Sequence, residues 1–390
     1  MRAGAATNQY GAPALAALAA VALVQGPALA GVPDRDFAPV PEMEKTSVRS
    51  TPGEATADIL GWPAERGVAI QIDNDLFSGA HRDEDYSWGV AVSFATPTAN
   101  RLFAPLDRVR DRLHSWVTPE GPDDEYAWLS QARSVQLGLL AMTPETLRSP
   151  EPLPDDRPFA NLAFATSAEL QVRQNAHRAR YTSFTFGVLG LRVAKTLHRN
   201  IHKIVGDEIP LGWEHQISDG GEPTARYVQA EQWLLDGWDA FRPGAPEVKL
   251  TASGSVGFLT EGSIALSTRW GRIQSPWWSF NPELADYMAA PIIPVSRFGS
   301  FGMTELFAFA GARVKARAYN ALLQGQFRHS DVRVSSSDVA PLLAEAWVGL
   351  ATTWSDLRIT YTIRYASQEM KREPGARSLI WAGINFEKAF

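Results

Sequence analysis

The sequence predicts an all-β fold, an antiparallel transmembrane β-barrel of about twelve strands with short helices in its extracellular loops. From Val68 onward, apolar and polar residues alternate with a period of two, which indicates strands with one apolar face. The alternating segments are about 10 to 12 residues long, the length with which a tilted strand crosses a bilayer. The polar face carries charges inside strands, as at Arg313, Lys315 and Arg317. Such charges suit a wet lumen and would be costly in a soluble sandwich core.

Composition excludes several other classes of protein. The chain has 390 residues, of which 10% are aromatic, and a formal net charge of −6. The aromatic content argues against disorder, because it provides apolar surface to bury. The absence of cysteine excludes disulfide scaffolding and thiol chemistry. The acidic balance argues against nucleic acid as a partner, since phosphate binding needs a basic surface.

The N-terminal segment predicts export. Residues 1–30 combine Arg2 with a short apolar run at 14–24 and end in Ala28-Leu29-Ala30. This is the pattern of a cleaved secretory signal peptide, and the run is too short for a stop-transfer helix. Residues 31–66 are rich in Pro, Glu, Asp and Thr, which predicts a flexible leader, and residues 67–390 form the predicted barrel.

Period-two segments recur along the chain and give ten to twelve candidate strands. In the segment 85–94, the alternation places Tyr86 and Trp88 on one face with Val90. The chain ends in an alternating strand with a terminal Phe390, an ending typical of the C-terminal strand that the outer-membrane assembly machinery reads. Because barrels of this type have even strand numbers, we predict twelve strands. A soluble β-protein that ends in Phe remains the alternative. The clearest segments are 162–172, 248–258, 262–272, 304–318, 344–354, 357–365 and 378–390.

Two stretches interrupt the alternation and predict helices. Residues 96–130 contain an amphipathic run suited to a helix that lies on the barrel or on the membrane surface. Residues 193–217 predict a second helix, which Pro210 and Gly212 end. The apolar residues of the first run are Leu106, Val109, Leu113, Trp116 and Val117, and those of the second are Val193, Leu197, Ile201 and Ile204.

Two groups of residues could carry chemistry. His198 and His202 are four residues apart and therefore share a helix face. Asn74 and Asp75 lie where the first strand ends, and their oxygens are hard ligands of the kind that calcium prefers. A histidine that accepts a proton from water, near a cation that polarises an ester, would make a hydrolase site. From the residues alone, a surface histidine pair and a plain turn are equally compatible.

Five segments carry a resemblance to a known family. In order and spacing, IDNDLFSG, DEDYSWG, TPETLRSPEP, DDRPFA and IHKIVGDEIPLGWEHQI resemble the outer-membrane lipid A 3′-O-deacylase family over most of residues 68–390. The resemblance implies a twelve-stranded barrel in the bacterial outer membrane, with its site at the extracellular rim between the wall and a loop helix. It also implies calcium-dependent hydrolysis of the ester that links an acyloxyacyl chain to the 3′ position of lipid A. The implied partner is lipopolysaccharide in the outer leaflet.

The resemblance also implies roles for individual residues. His202 corresponds to the general base that activates water, and Ser87 to a site hydroxyl. Asp75 and Glu208 correspond to the cation ligands, and Asn74 helps to hold the cation or the oxyanion. Arg148 corresponds to a basic residue that meets lipid A phosphate.

One departure from the family pattern leaves alternatives open. His198 stands where the family is expected to have glutamine, so it is expected to contact substrate, to tune His202, to bind a softer metal such as zinc, or to be a spectator. A non-enzymatic barrel or pore, and a phospholipase-like esterase with a different lipid substrate, are the alternative functions.

Overall fold

A computed structural model describes residues 66–78, 85–96, 103–118, 128–173, 177–205, 209–236, 246–292 and 305–390. The predicted signal peptide at 1–30 and the predicted leader, except Arg66, lie outside the described residues. Within these ranges, no helix is both long and apolar enough to cross a membrane.

Twelve strands form a closed antiparallel barrel, which confirms the predicted fold. Each strand pairs with its neighbours in the chain, and β1 closes the barrel by pairing with β12. The strands are β1 (Gly67–Asn74), β2 (Asp85–Thr96), β3 (Trp128–Thr143), β4 (Ala160–Arg173), β5 (Arg178–Leu189), β6 (Glu222–Asp236), β7 (Glu247–Gly257), β8 (Leu259–Arg272), β9 (Glu305–Asn320), β10 (Leu342–Trp354), β11 (Leu357–Ala366) and β12 (Leu379–Ala389).

The two ends of the barrel differ in what they carry. Gly67, which begins β1, pairs with Ala389, which ends β12, so the barrel begins and finishes at the same end, here called the termini end. Asn74 of β1 and Asp85 of β2 lie at the opposite end, here called the site end. Because all neighbours are antiparallel, the connections alternate between these two ends.

Three α-helices lie in the described connections. Both predicted helices are present, but they lie at opposite ends of the barrel, so the helices do not all lie in extracellular loops as predicted. Helix α1 (Ala104–Val117) belongs to the β2–β3 connection at the termini end. Helix α2 (Val193–Val205) belongs to the β5–β6 connection at the site end. The short α3 (Ala321–Gln324) follows β9, and the side chain of Asn320 caps it by accepting from the Leu322 N–H at 3.0 Å.

The two faces of the wall have opposite polarity. Ile264, Val314 and Leu350 are exposed on the outer face, whereas Arg313 and Lys315 are buried on the inner face. An apolar outer band around a polar interior is the arrangement of a barrel that sits in lipid.

The lumen is filled by part of the β8–β9 connection. Residues 273–292, here called the plug, enter the lumen from the termini end. There the backbone carbonyl of Phe280 accepts a hydrogen bond from Lys249 Nζ at 2.7 Å. Asp286 accepts from Lys315 Nζ at 2.9 Å. At the site end, the Tyr287 hydroxyl donates to Glu369 at 2.7 Å. The plug therefore extends through the interior and forms hydrogen bonds with charged residues at both ends of the barrel.

Candidate active site

The β5–β6 connection that carries α2 is fixed at both of its ends. Asn161 accepts from the Leu191 N–H at 3.1 Å, and its amide donates to the Leu191 carbonyl at 3.1 Å and to Gln216 at 2.6 Å. Gly190 has φ of +71°, and a Cβ there would lie 2.0 Å from the carbonyl oxygen of Ser218, so only glycine fits. These contacts hold α2 in one position on the barrel.

Helix α2 buries its two histidines and exposes the described part of its apolar stripe. Ala194, His198 and His202, at four-residue spacing, are all buried. Val193 and Leu197 of the predicted apolar stripe are exposed. A helix on the outside of a lipid-facing barrel has apolar surroundings, so its polar side chains are more stable against the wall.

The two histidines form a contact pair that an indole orients. Their ring centroids lie 4.3 Å apart with the rings nearly perpendicular. Trp213 Nε1 donates to His198 Nδ1 at 3.2 Å, so a neutral His198 carries its proton on Nε2. Trp213 belongs to the 3₁₀ turn Gly212–His215, and its ring packs on Phe159 at 4.9 Å. His198 thus lies between Trp213 and the predicted base, His202.

Asn74 and Ser87 meet where β1 ends and β2 begins. The Asn74 side-chain amide donates to the backbone carbonyl of Ser87. The Ser87 hydroxyl lies 2.6 Å from the hydroxyl of Thr143, at the end of β3. In the β2–β3 ladder, Tyr86 pairs with Met142 and Trp88 with Ala141, so Ser87 is the extra residue of a β-bulge. Bulges next to a site re-aim a side chain, and this one gives Ser87 its position.

The bulge overturns the prediction that Tyr86 and Trp88 share a face. Tyr86 lies in the lumen, where its ring is nearly parallel to that of the plug residue Tyr287, with 6.3 Å between the ring centroids. Trp88 packs outside in one cluster with Ala194 and Trp213. The inserted residue shifts the alternation by one, and a period-two pattern cannot reveal such an insertion.

Trp88 links Asn74 on β1 to the residues around helix α2. It is the register partner of Asn74 on β1, and it shares its cluster with Trp213, which bonds His198. The sequence phase of Asn74 predicts an outward side chain at this level, which needs a polar or helical cover. The cluster beneath α2 provides that cover.

The remaining predicted residues have different placements. Arg148 is exposed on the β3–β4 connection, and its neighbour Leu147 accepts from the Leu211 N–H at 2.9 Å, close to the Trp213 turn. Asp75 is buried directly after β1, and its carbonyl accepts from the Ser78 N–H at 3.0 Å. Glu208 lies outside the described residues.

The described residues supply only part of a ligand set for a metal ion. Among the described ranges, no three His, Asp or Glu side chains come close enough together to hold a metal ion. Asp75 and Asn74 supply oxygen donors, which hard cations prefer. His198 Nδ1 accepts from Trp213, so in the neutral ring the other nitrogen carries the proton.

A buried ion cluster behind Ser87 escaped the sequence reasoning. Arg157 donates to Asp85 at 2.8 Å and to Glu369 at 2.6 Å, and Arg377 donates to Asp85 at 2.9 Å and to Asp156 at 2.7 Å. Burial opposes the charge of Glu369, but Arg157 and Arg317 lower its pKa to about 2. The cluster joins two site-end connections, β3–β4 and β11–β12, to Asp85, two residues before Ser87. Asp85, Asp156 and Arg157 all lie in segments that carry the family resemblance, which is the signal that could have found them.

The lipid-facing wall and the polar lumen define the class as outer-membrane barrel proteins. A family model described as "Outer membrane protein LpxR" matches residues 47–390. The chain belongs to this family, which confirms the family predicted from the motifs.

A solved structure agrees on the fold. LpxR from Salmonella typhimurium is 15% identical, with a TM-score of 0.63, and the match covers 83% of this chain and all of that one. The β domain of the Bordetella autotransporter BrkA is 9% identical, with a TM-score of 0.38 over 84% of this chain and all of that one, a likeness too low to carry an argument. No curated protein matches significantly.

Proposed function

We propose that this protein is an outer-membrane esterase that removes the 3′-linked acyloxyacyl chain of lipid A, with His202 as the base that activates water. One observation carries the proposal. The buried His198–His202 pair lies on the outer side of the wall, in a helix that packs with the register partner of Asn74. A site on the outer surface faces membrane lipid, whereas a site in the plugged lumen would not.

The residues of the site have separable roles in this proposal. His202 takes the proton of the attacking water, and the edge-on ring of His198 limits the orientations of His202. Asn74 fixes the Ser87 carbonyl, while the Ser87 and Thr143 hydroxyls form a polar pair at the bulge. Arg148 is exposed on the adjoining connection, where its guanidinium suits a lipid A phosphate.

Calcium is the proposed cofactor. Asp75 and Asn74, with Glu208, would hold it, because a buried carboxylate and an amide oxygen are suitable ligands. When bound, calcium supplies positive charge that stabilises the negative charge developing on the ester oxygen.

The test is mass spectrometry of lipid A from cells that express the wild type, His202→Ala or His329→Ala. His329 is an exposed histidine at the same end of the barrel and is the matched control. We expect loss of the acyloxyacyl chain with the wild type and His329→Ala, and no loss with His202→Ala although the barrel folds. Persistent hydrolysis by His202→Ala would refute the assignment of the base.

Purified protein separates the remaining alternatives. We expect a calcium chelator to stop hydrolysis, and added calcium rather than zinc to restore it. Comparison of lipid A with a diacylphospholipid distinguishes the deacylase from a phospholipase-like esterase. Preference for the diacylphospholipid would overturn the proposed substrate.

A further inference from the structure

Helix α1 lies on the outer surface of the barrel wall, where it packs against β4, β5 and β6. The direction of the β6 side chains shows which face it covers. Arg226 points inward and donates to the plug residue Asp286, so its neighbour Tyr227 points outward. The Tyr227 hydroxyl contacts His114 of α1 at 3.5 Å.

The wall beneath α1 is polar, unlike the apolar band elsewhere. Arg110 is completely buried and donates to Ser167 at 2.9 Å and to Glu169 at 3.1 Å. Ser167 in turn donates to Asp107, one turn earlier on the helix. Just after the helix, Thr118 accepts from Gln229 at 2.8 Å. The polar side chains on the wall side of α1 thus form hydrogen bonds with the wall.

The opposite face of α1 is exposed and carries large apolar side chains beside the polar Arg108, Asp111, Arg112 and Ser115. Val109 is 42% exposed and Trp116 is 69% exposed, with the Arg112 guanidinium 5.7 Å from the Trp116 ring. A helix that packs on a protein in water buries its large apolar side chains, whereas α1 buries Asp107 and Arg110 and exposes Val109 and Trp116. This inversion, with arginines beside the exposed apolar side chains, is typical of a helix at a membrane interface.

The exposed face of α1 continues the lipid-facing surface of the barrel. On the strands that adjoin those beneath α1, Leu137 of β3 and Val256 of β7 are exposed on the outer face. Helix α2 shows the same inversion at the other end of the barrel. Without α1, the charged Glu169 would interrupt the apolar band, and a charge that faces lipid is costly.

We propose that α1 lies within the periplasmic leaflet of the outer membrane, with Val109 and Trp116 against phospholipid acyl chains. The termini end faces the periplasm, because an even-numbered barrel that is inserted from the periplasm leaves both of its ends there. Arg108 and Arg112 are exposed on the same helix, within reach of lipid phosphate. The helix shields a polar patch of the wall from lipid, and this role is independent of hydrolysis at the site end.

Single cysteines test the proposal directly, since the chain has none of its own. Val109→Cys and Trp116→Cys carry a nitroxide label in vesicles of phosphatidylethanolamine and phosphatidylglycerol. A nitroxide label that is accessible to dissolved oxygen lies in lipid. A label that is accessible to a water-soluble nickel complex lies in water. Val314→Cys on the outer face of β9 is the lipid control, and His329→Cys is the aqueous control.

We expect both α1 labels to match Val314→Cys, with high oxygen and low nickel accessibility. Labels that match His329→Cys would place α1 in the periplasm and overturn the proposal. Labels shielded from both reagents, together with disulfide-linked dimers of unlabelled Val109→Cys, would show that a second copy covers this face and would also overturn it. Lipid A hydrolysis is not needed for any of these outcomes.

Discussion

At the scale of single residues, the sequence indicated which side chains matter but not which partners position them. The motifs identified Asn74, Ser87 and His202, because these lie in segments that resemble a family. Trp213 and Thr143 received no role, although Trp213 donates to His198 across 15 residues and Thr143 contacts Ser87 across 56. Such contacts form only once the strands and connections are assembled, and no local pattern encodes them.

The Trp213–His198 hydrogen bond gives the first prediction at this scale. Trp213→Phe removes the donor but keeps an aromatic ring against Phe159. We expect kcat for lipid A hydrolysis to fall about fivefold with KM unchanged, since a neutral hydrogen bond contributes about 1 kcal/mol. Steady-state kinetics would measure this, with Trp270→Phe on the outer face of β8 as the control. Equal effects of the two substitutions would contradict a positioning role for Trp213.

At the scale of elements, alternation predicted the strands well, and amphipathic runs predicted both long helices. The same patterns could not predict the bulge at Ser87, because one inserted residue leaves the flanking alternation intact. Nor could they tell which face α1 and α2 bury. In the apolar stripe of α2, the described residues Val193 and Leu197 are exposed. The hydrophobic pattern reports that two faces differ, while the solvent around the helix decides which of them faces the protein.

The second prediction concerns how α1 is held on the wall. Arg110→Ala leaves the carboxylates of Asp107 and Glu169 beneath the helix without their shared cation. We expect the unfolding free energy to fall by about 3 kcal/mol, because breaking a buried ion pair leaves an uncompensated charge. Denaturant titration in detergent would measure it. The matched control is Arg108→Ala, whose exposed guanidinium donates to the Ala104 carbonyl of its own helix. Comparable losses in the two variants would refute the proposed anchor.

At the scale of the whole molecule, the plug decides between a closed barrel and a channel. From the sequence, the lumen charges at Arg313 and Arg364 were compatible with either. Arg313 donates to the plug carbonyls of Glu283 at 2.9 Å and Ala285 at 2.7 Å, and Arg364 donates to that of Pro282 at 2.7 Å. The plug has no regular alternation, so its place in the lumen follows from charge pairing across many strands and could not be derived from a local pattern.

The third prediction follows from this filled lumen. We expect the purified protein to produce no discrete conductance steps in planar bilayers. A variant in which residues 277–288 are replaced by a short Gly-Ser linker should conduct, because the linker removes the plug's carboxylates and indoles. Stable steps from the wild type, with open times like those of the variant, would favour a pore.

The last prediction concerns acid and the charge network that joins the plug to the rim. Glu369 contacts Tyr287 of the plug and Arg157 of the β3–β4 connection, and its pKa in the folded protein is about 2 against a usual 4.5. A lowered pKa means that the stabilisation is complete above pH 4.5 and is lost as the pH falls through about 2.

Glu369→Gln should therefore be less stable than the wild type at pH 7, by on the order of 3 kcal/mol from the size of that shift. The difference should shrink below pH 4 and vanish near pH 2, where the wild-type carboxylate is itself protonated. Guanidinium unfolding followed by tryptophan fluorescence between pH 2 and 7 would measure both curves. Glu373→Gln, an exposed carboxylate of the same β11–β12 connection, should follow the wild type throughout. A constant gap between the wild type and Glu369→Gln at every pH would mean that shape, rather than charge, is what Glu369 contributes to the rim.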